Sequence, residues 1–198
     1  TRYRRDVAVG LTRLALLAQE QGRPADAAEL LRRSQTISEA LATAEPDNTT
    51  YQRDVAIGLT RLADLAQSQG RPADAADLFR RSQTVSEALA TAEPDNTTYQ
   101  HDVAVVLTRL ADLAQEQGRP ADAADLFQRS QTISEALAAA EPDNTTYQHD
   151  VALVLTRLAD LAQTQGRPAD AAELLRRSQT VSEALATAEP DNTRYRRD

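Results

Sequence analysis

The sequence predicts an all-α fold, a right-handed superhelical solenoid of antiparallel helix hairpins, and three observations carry that expectation. Tyr3, Tyr51, Tyr99, Tyr147 and Tyr195 recur at the Tyr3-to-Tyr51 spacing of 48 residues, each opening a Y-x-x-D frame that closes at Asp6, Asp54, Asp102, Asp150 and Asp198. Within each period, apolar residues fall at alternating spacings of four and three, the signature of a helix face. Each period is also punctuated twice, by Q-G-R-P and by E-P-D-N. The chain thus reads as one array over 1–198, with units at approximately 3–50, 51–98, 99–146 and 147–194, and 195–198 as the start of a further unit. Thr193 to Asp198 repeats Thr1 to Asp6 letter for letter, as in a segment of a longer array.

The unit from Tyr51 serves as the type. Val55, Leu59, Leu62 and Ala66 mark the main stripe of a first helix, and Ile57, Ala63 and Leu65 widen it, so this helix meets neighbours on more than one side. Thr49 and Gln52 form the T-x-x-Q pattern of a capping box at its start. Gly70 takes the left-handed position that closes it. Pro72 then opens a second helix at its first turn, with Asp74 facing the positive helix end. Leu78, Ser82, Val85, Leu89 and Ala92 carry the stripe of that helix until Pro94, which disfavours helical geometry at Glu93. The two helices are about 20 and 22 residues, each about 30 Å long. Short connections make them antiparallel. One hairpin cannot cover both sides of its first helix, so stacking is required, and about three units are the threshold for stability.

Composition narrows the function classes. Hydrophobic residues make up 41% of the chain but aromatics only 4%, so burial comes from Leu, Ala, Val and Ile, which suits close helix packing. The formal charge is -8, and all 22 basic residues are Arg. An acidic chain is a poor match for nucleic acid or an anionic membrane, whose phosphates need a basic surface. With no long apolar run and no leader pattern, the expectation is a soluble, cytoplasmic chain. Cysteine is absent, which removes disulfides and thiolate metal sites.

The string L-x-x-L-A-x-x-A-x-x-Q-G-R-x-x-D-A-A-x-L-F, at Leu59 to Phe79 and again at Leu107 to Phe127, resembles the tetratricopeptide repeat (TPR). In that resemblance Leu59 stands at the large position of the first helix and Leu62 at the adjoining Leu. Ala63 takes the small position, Ala66 the place of an aromatic, and Gly70 the turn. Ala75, Phe79 and Ser82 correspond to the small, aromatic and second small residues of the second helix. Family repeats are usually 34 residues, and the longer period here looks like the long-repeat arrays of large bacterial proteins, some of which carry protease-like or nucleotide-binding domains elsewhere. The resemblance implies a scaffold that binds a protein or peptide partner and is not an enzyme.

It also implies that the first helices line the binding face, placing Thr60, Arg61, Asp64, Gln67 and Ser68 there. Equivalent positions form rows: Arg13, Arg61, Arg109 and Arg157; Asp64, Asp112 and Asp160, with Leu16 in the first unit; and Gln19, Gln67, Gln115 and Gln163. Adjacent Arg and Asp rows suit hydrogen bonding to an extended peptide, or else pair with each other, three apart on one face or across units, and keep the face soluble. Family members that clamp a terminal carboxylate use Lys and Asn here, whereas this chain has no Lys and carries Asp in place of that Asn. His101 and His149 lie one unit apart, too far to share an ion, and read as surface polar residues. Asn48, Asn96 and Asn144 begin N-T-T triplets that match a glycosylation acceptor, but a turn and cap role suffices. No catalytic residue, metal site or cofactor is expected: there is no Cys and no Gly-rich phosphate loop, and the carboxylates repeat without a distinct second partner.

Two functions of different kinds follow. The first is a protein- or peptide-binding scaffold within a larger multidomain protein. The second is an architectural rod that self-associates head to tail, through Val7, Leu11 and Leu14 at one end and Leu174, Val181 and Leu185 at the other.

Overall fold

In the computed structural model, which describes residues 2–188, the chain forms eight helices in sequence: α1 (Arg2–Glu20), α2 (Pro24–Ala44), α3 (Thr49–Ser68), α4 (Pro72–Ala92), α5 (Thr97–Glu116), α6 (Pro120–Ala140), α7 (Thr145–Thr164) and α8 (Pro168–Ala188). They belong to two compact units, Thr1–Asp95 and Asn96–Asp198. Each unit holds two hairpins, α1/α2 with α3/α4 and α5/α6 with α7/α8. The expected start of a further unit at 195–198 lies outside the described residues. Among the described residues no helix is long and apolar enough to cross a membrane.

The hairpin turns follow from backbone chemistry. At Gly70 the chain enters the left-handed region with φ of 69°, open only to a residue without Cβ at little cost. The amide of Gly70 then donates to Gln67 O at 2.9 Å, and that of Arg71 to Ala66 O at 2.9 Å. This Schellman pattern satisfies the last carbonyls of α3. The Arg71 guanidinium spans the turn, reaching Asp74 and Gln69, each at 2.7 Å. The same clasp recurs at Arg23, Arg119 and Arg167. It is exposed, so it positions the turn and adds little stability.

The start of α3 departs from the expected capping box. Asn48 is the cap, with φ of -82° and ψ of 95°, and its side chain accepts from Tyr51 N at 3.3 Å. Thr49 is already helical. Gln52 reaches the carbonyl of Pro46 at 3.3 Å and not a cap amide. Asn at this position outranks Thr because its carbonyl oxygen reaches the third helical N–H from extended backbone. Asn96 caps α5 in the same way, and Asn144 caps α7 by accepting from the second helical amide, Thr146 N, at 3.2 Å.

Each hairpin closes on an apolar stripe and one polar pin. In the first, Ala15, Ala18, Ala27, Ala28 and Leu31 pack together and receive Leu65 from α3. Phe127 fills the corresponding place in unit 2, among Ala111, Ala114, Val154, Leu158 and Leu161. Alanine on both helices permits the close approach, and the larger side chains fill what remains. Across this seam Ser82 Oγ donates to Ala56 O at 2.9 Å and lies 2.8 Å from Thr60 Oγ1. Ser34, Ser130 and Ser178 repeat the arrangement with Ala8, Ala104 and Ala152. A buried hydroxyl so satisfied costs little, whereas an unpaired one would cost about 1–3 kcal/mol.

The open face of α1 differs in part from expectation. Val7 and Leu14 are each 54% exposed, as expected, but Leu11 is buried, because it continues the stripe of Ala8 and Ala15 toward α2. Leu185 is likewise buried, seven residues along the same face of α8 as the Ser178 pin, and Leu174 and Val181 are half-buried. Leu175 is the bare residue of α8.

A candidate binding groove in each unit

The first helices of each unit lie side by side with a groove between them. In unit 1 it has a volume of about 380 Å³ and runs between α1 and α3. Val9, Arg13 and Leu16 line it from α1 at helical spacings of four and three, and Ile57 and Arg61 line it from α3. Its floor is the polar pin, Thr12 with Ser34. Asp54 closes one end, where the Arg5 guanidinium grips it through two nitrogens, at 2.5 and 3.1 Å. That bidentate bond, above all other influences, holds the Arg5 guanidinium further toward its charged form.

Unit 2 repeats the groove between α5 and α7 with a volume of about 280 Å³. Val105, Arg109 and Asp112 line one wall, Leu153 and Arg157 the other, and Thr108 with Ser130 the floor. His101 replaces Arg5 in gripping Asp150, at 2.7 Å, and its ring tilts against Tyr147 with centroids 5.4 Å apart. His101 is therefore a half-buried bridge between α5 and α7, not the simple surface polar residue the sequence suggests. Arg157 Nε stands 3.2 Å from Asp112 Oδ1, off the line of a hydrogen bond, so the attraction is chiefly between charges. Burial pushes the Asp112 carboxyl above the usual carboxylate range, against the pull of Arg157 and Arg109.

The sequence-derived rows divide on this geometry. Arg13, Leu16 and Arg61 come together in the first groove, and Arg109, Asp112 and Arg157 in the second. Gln19, Gln67, Gln115 and Gln163, with Asp64 and Asp160, line neither. Ser68 is exposed and bonds back to Leu65 O at 2.8 Å, ending the helix and not facing the groove. Thr60 belongs to the hairpin seam. Of the two pairings open to the Arg and Asp rows, Arg157 takes the one across repeats, reaching Asp112 on the neighbouring hairpin. Sequence reasoning missed the apolar walls Val9, Ile57, Val105 and Leu153 and the end carboxylates Asp54 and Asp150. The signal for the last two was the recurring Y-x-x-D frame itself.

No family model matches the chain, and no curated protein matches it. Solved structures do. The crystal structure of BtubC (BKLC) from P. vanneervenii superposes with a TM-score of 0.70 at 18% identity, over 90% of this chain and 64% of that one. The chain therefore spans less than two thirds of BtubC's length. A putative kinesin light chain from Podosopora anserina, described as having nearly identical TPR-like repeats, matches in two structures. In one the TM-score is 0.59 at 18% identity, covering 98% of this chain and 90% of that one. In the other it is 0.53 at 21%, covering 93% and 86%. The fold of this chain is an all-α, TPR-like helical repeat.

Proposed function

We propose that this chain is a protein- or peptide-binding scaffold, a stretch of repeats within a larger multidomain protein, that receives an extended partner segment along its first-helix grooves. The observation that supports this most is recurrence: the same groove, with the same polar floor, apolar walls and end carboxylate, stands at the same place in both units. A cleft of a few hundred cubic ångströms with apolar walls and a few fixed polar groups is the general form of a binding site. Repetition at a fixed interval suits an extended chain, which presents side chains at regular intervals of its own. No catalytic role is assigned. A cytoplasmic setting accompanies the proposal.

The test uses a peptide recovered by display selection on the full chain. Replacing Arg61 and Arg157 with Ala should weaken its binding about tenfold or more and flatten its salt dependence, with helicity unchanged. Unchanged affinity would remove the grooves from the binding surface.

A second reading, head-to-tail assembly, is favoured by the face of α1. Tyr3 is 84% exposed and Leu17 50%, whereas their counterparts Tyr51 and Leu65, which pack against α2, are 9% and 2%. Helix α8 leaves Leu175 half exposed where Leu31 and Phe79 are buried. Sedimentation at rising concentration should then show association that Leu14→Glu and Leu175→Glu each suppress. A monomer at the highest concentrations reached would set this reading aside.

A further inference from the structure

The two grooves share a plan but not a charge balance. In unit 2 the guanidinium of Arg157 is answered by Asp112. The equivalent of Asp112 in unit 1 is Leu16, and among the described residues neither Arg13 nor Arg61 has a carboxylate partner. The one carboxylate in the unit 1 groove, Asp54, is occupied by Arg5. Two guanidiniums therefore flank an apolar strip, of which Leu16 is 41% exposed and Val9 39%.

Resting on the binding reading above, we infer that the α1/α3 groove of unit 1 recognises a partner segment carrying an Asp or Glu beside a Leu-sized apolar side chain. The carboxylate pairs with Arg61 and Arg13, whose planar forks match it, and the apolar neighbour covers Leu16, Val9 and Ile57. Covering those walls also removes water from around the ion pair and strengthens it. A basic segment would bring like charge to both guanidiniums. A nucleic acid would meet a chain of net charge -8. The α5/α7 groove, with Asp112 beside Arg157, already supplies its own anion and discriminates against the same segment. One position, Leu16 against Asp112, sets the difference.

The experiment is a selection of random seven-residue display peptides on the full chain, repeated on Leu16→Asp and on Asp112→Leu. Asp occupies the Leu16 position in the other three hairpins, at Asp64, Asp112 and Asp160, so Leu16→Asp keeps the fold, which circular dichroism verifies. On the native chain the recovered peptides are expected to pair an acidic residue with Leu, Ile or Phe. Their affinity should fall at least tenfold on Leu16→Asp, and Asp112→Leu should add a second binding equivalent by calorimetry. Recovered peptides without an acidic residue, or with the same affinity for Leu16→Asp, would overturn this inference and leave the scaffold reading standing. Failure to recover any peptide would overturn both.

Discussion

The two units carry the same hairpins at the same spacing, yet their first helices are filled differently. In unit 1 these helices have Gly10 and Gly58 where unit 2 has Val106 and Val154, each valine 1% exposed. A Cβ on Gly58 would lie 2.1 Å from Gln35 Oε1, a buried oxygen without a hydrogen-bond partner, although the same amide donates to Glu39 at 3.0 Å. Unit 1 thus fills with an unpaired polar atom the space that unit 2 fills with methyl groups. The lesson is that a repeat constrains the backbone more tightly than it constrains what packs between helices. Unit 2 gains apolar burial and unit 1 loses helix propensity, so unit 2 should be the more stable of the two.

The sharpest way to break that difference is to impose the glycine on unit 2. Val154→Gly removes a fully buried side chain and adds the backbone freedom of glycine, so it should cost about 2–4 kcal/mol in urea unfolding. The reverse change is smaller. Nothing lies within 4 Å of a Cβ on Gly10, so Gly10→Ala should stabilise by about 0.5–1 kcal/mol, seen as a higher unfolding midpoint. Gly58→Ala should gain less, because the Gln35 amide must first turn away.

The smallest effect belongs to Asp112. Its native carboxyl lies above the ordinary range because of burial, so between the ordinary and native values the folded chain holds more protons than the unfolded one. Stability should therefore fall slightly as pH rises through the acidic window just above the usual Asp range. Asp112→Asn should remove that slope in unfolding midpoints taken across the window. Leu16 gives unit 1 no such contribution.

Much of the fold was legible in the sequence because its determinants are local. Gly70, Pro72 and Pro94 fix where helices stop and start through their own backbone limits, and the observed helix bounds follow them. The cap was legible only in part, since Asn48 and Thr49 are both good caps and only geometry ranks them. The site was harder to read. Arg157 and Asp112 are 45 positions apart and meet only once hairpins stack, so the sequence left open whether the rows pair along one helix or across repeats. Ser82 read as a small residue, and its role as a pin depends on a carbonyl of α3 that no sequence pattern marks. Leu11 and Leu185 read as open because periodicity gives a face but not the neighbour that covers it.

Mapping a bound peptide by amide chemical shifts on the isotopically labelled full chain asks most directly whether the grooves are the working surface. Shifts concentrated at Val9, Leu16, Ile57 and Arg61, with weaker ones at Val105 and Arg157, are the predicted result. Shifts confined to the outward faces of α2, α4, α6 and α8, with those residues unmoved at saturation, would contradict it.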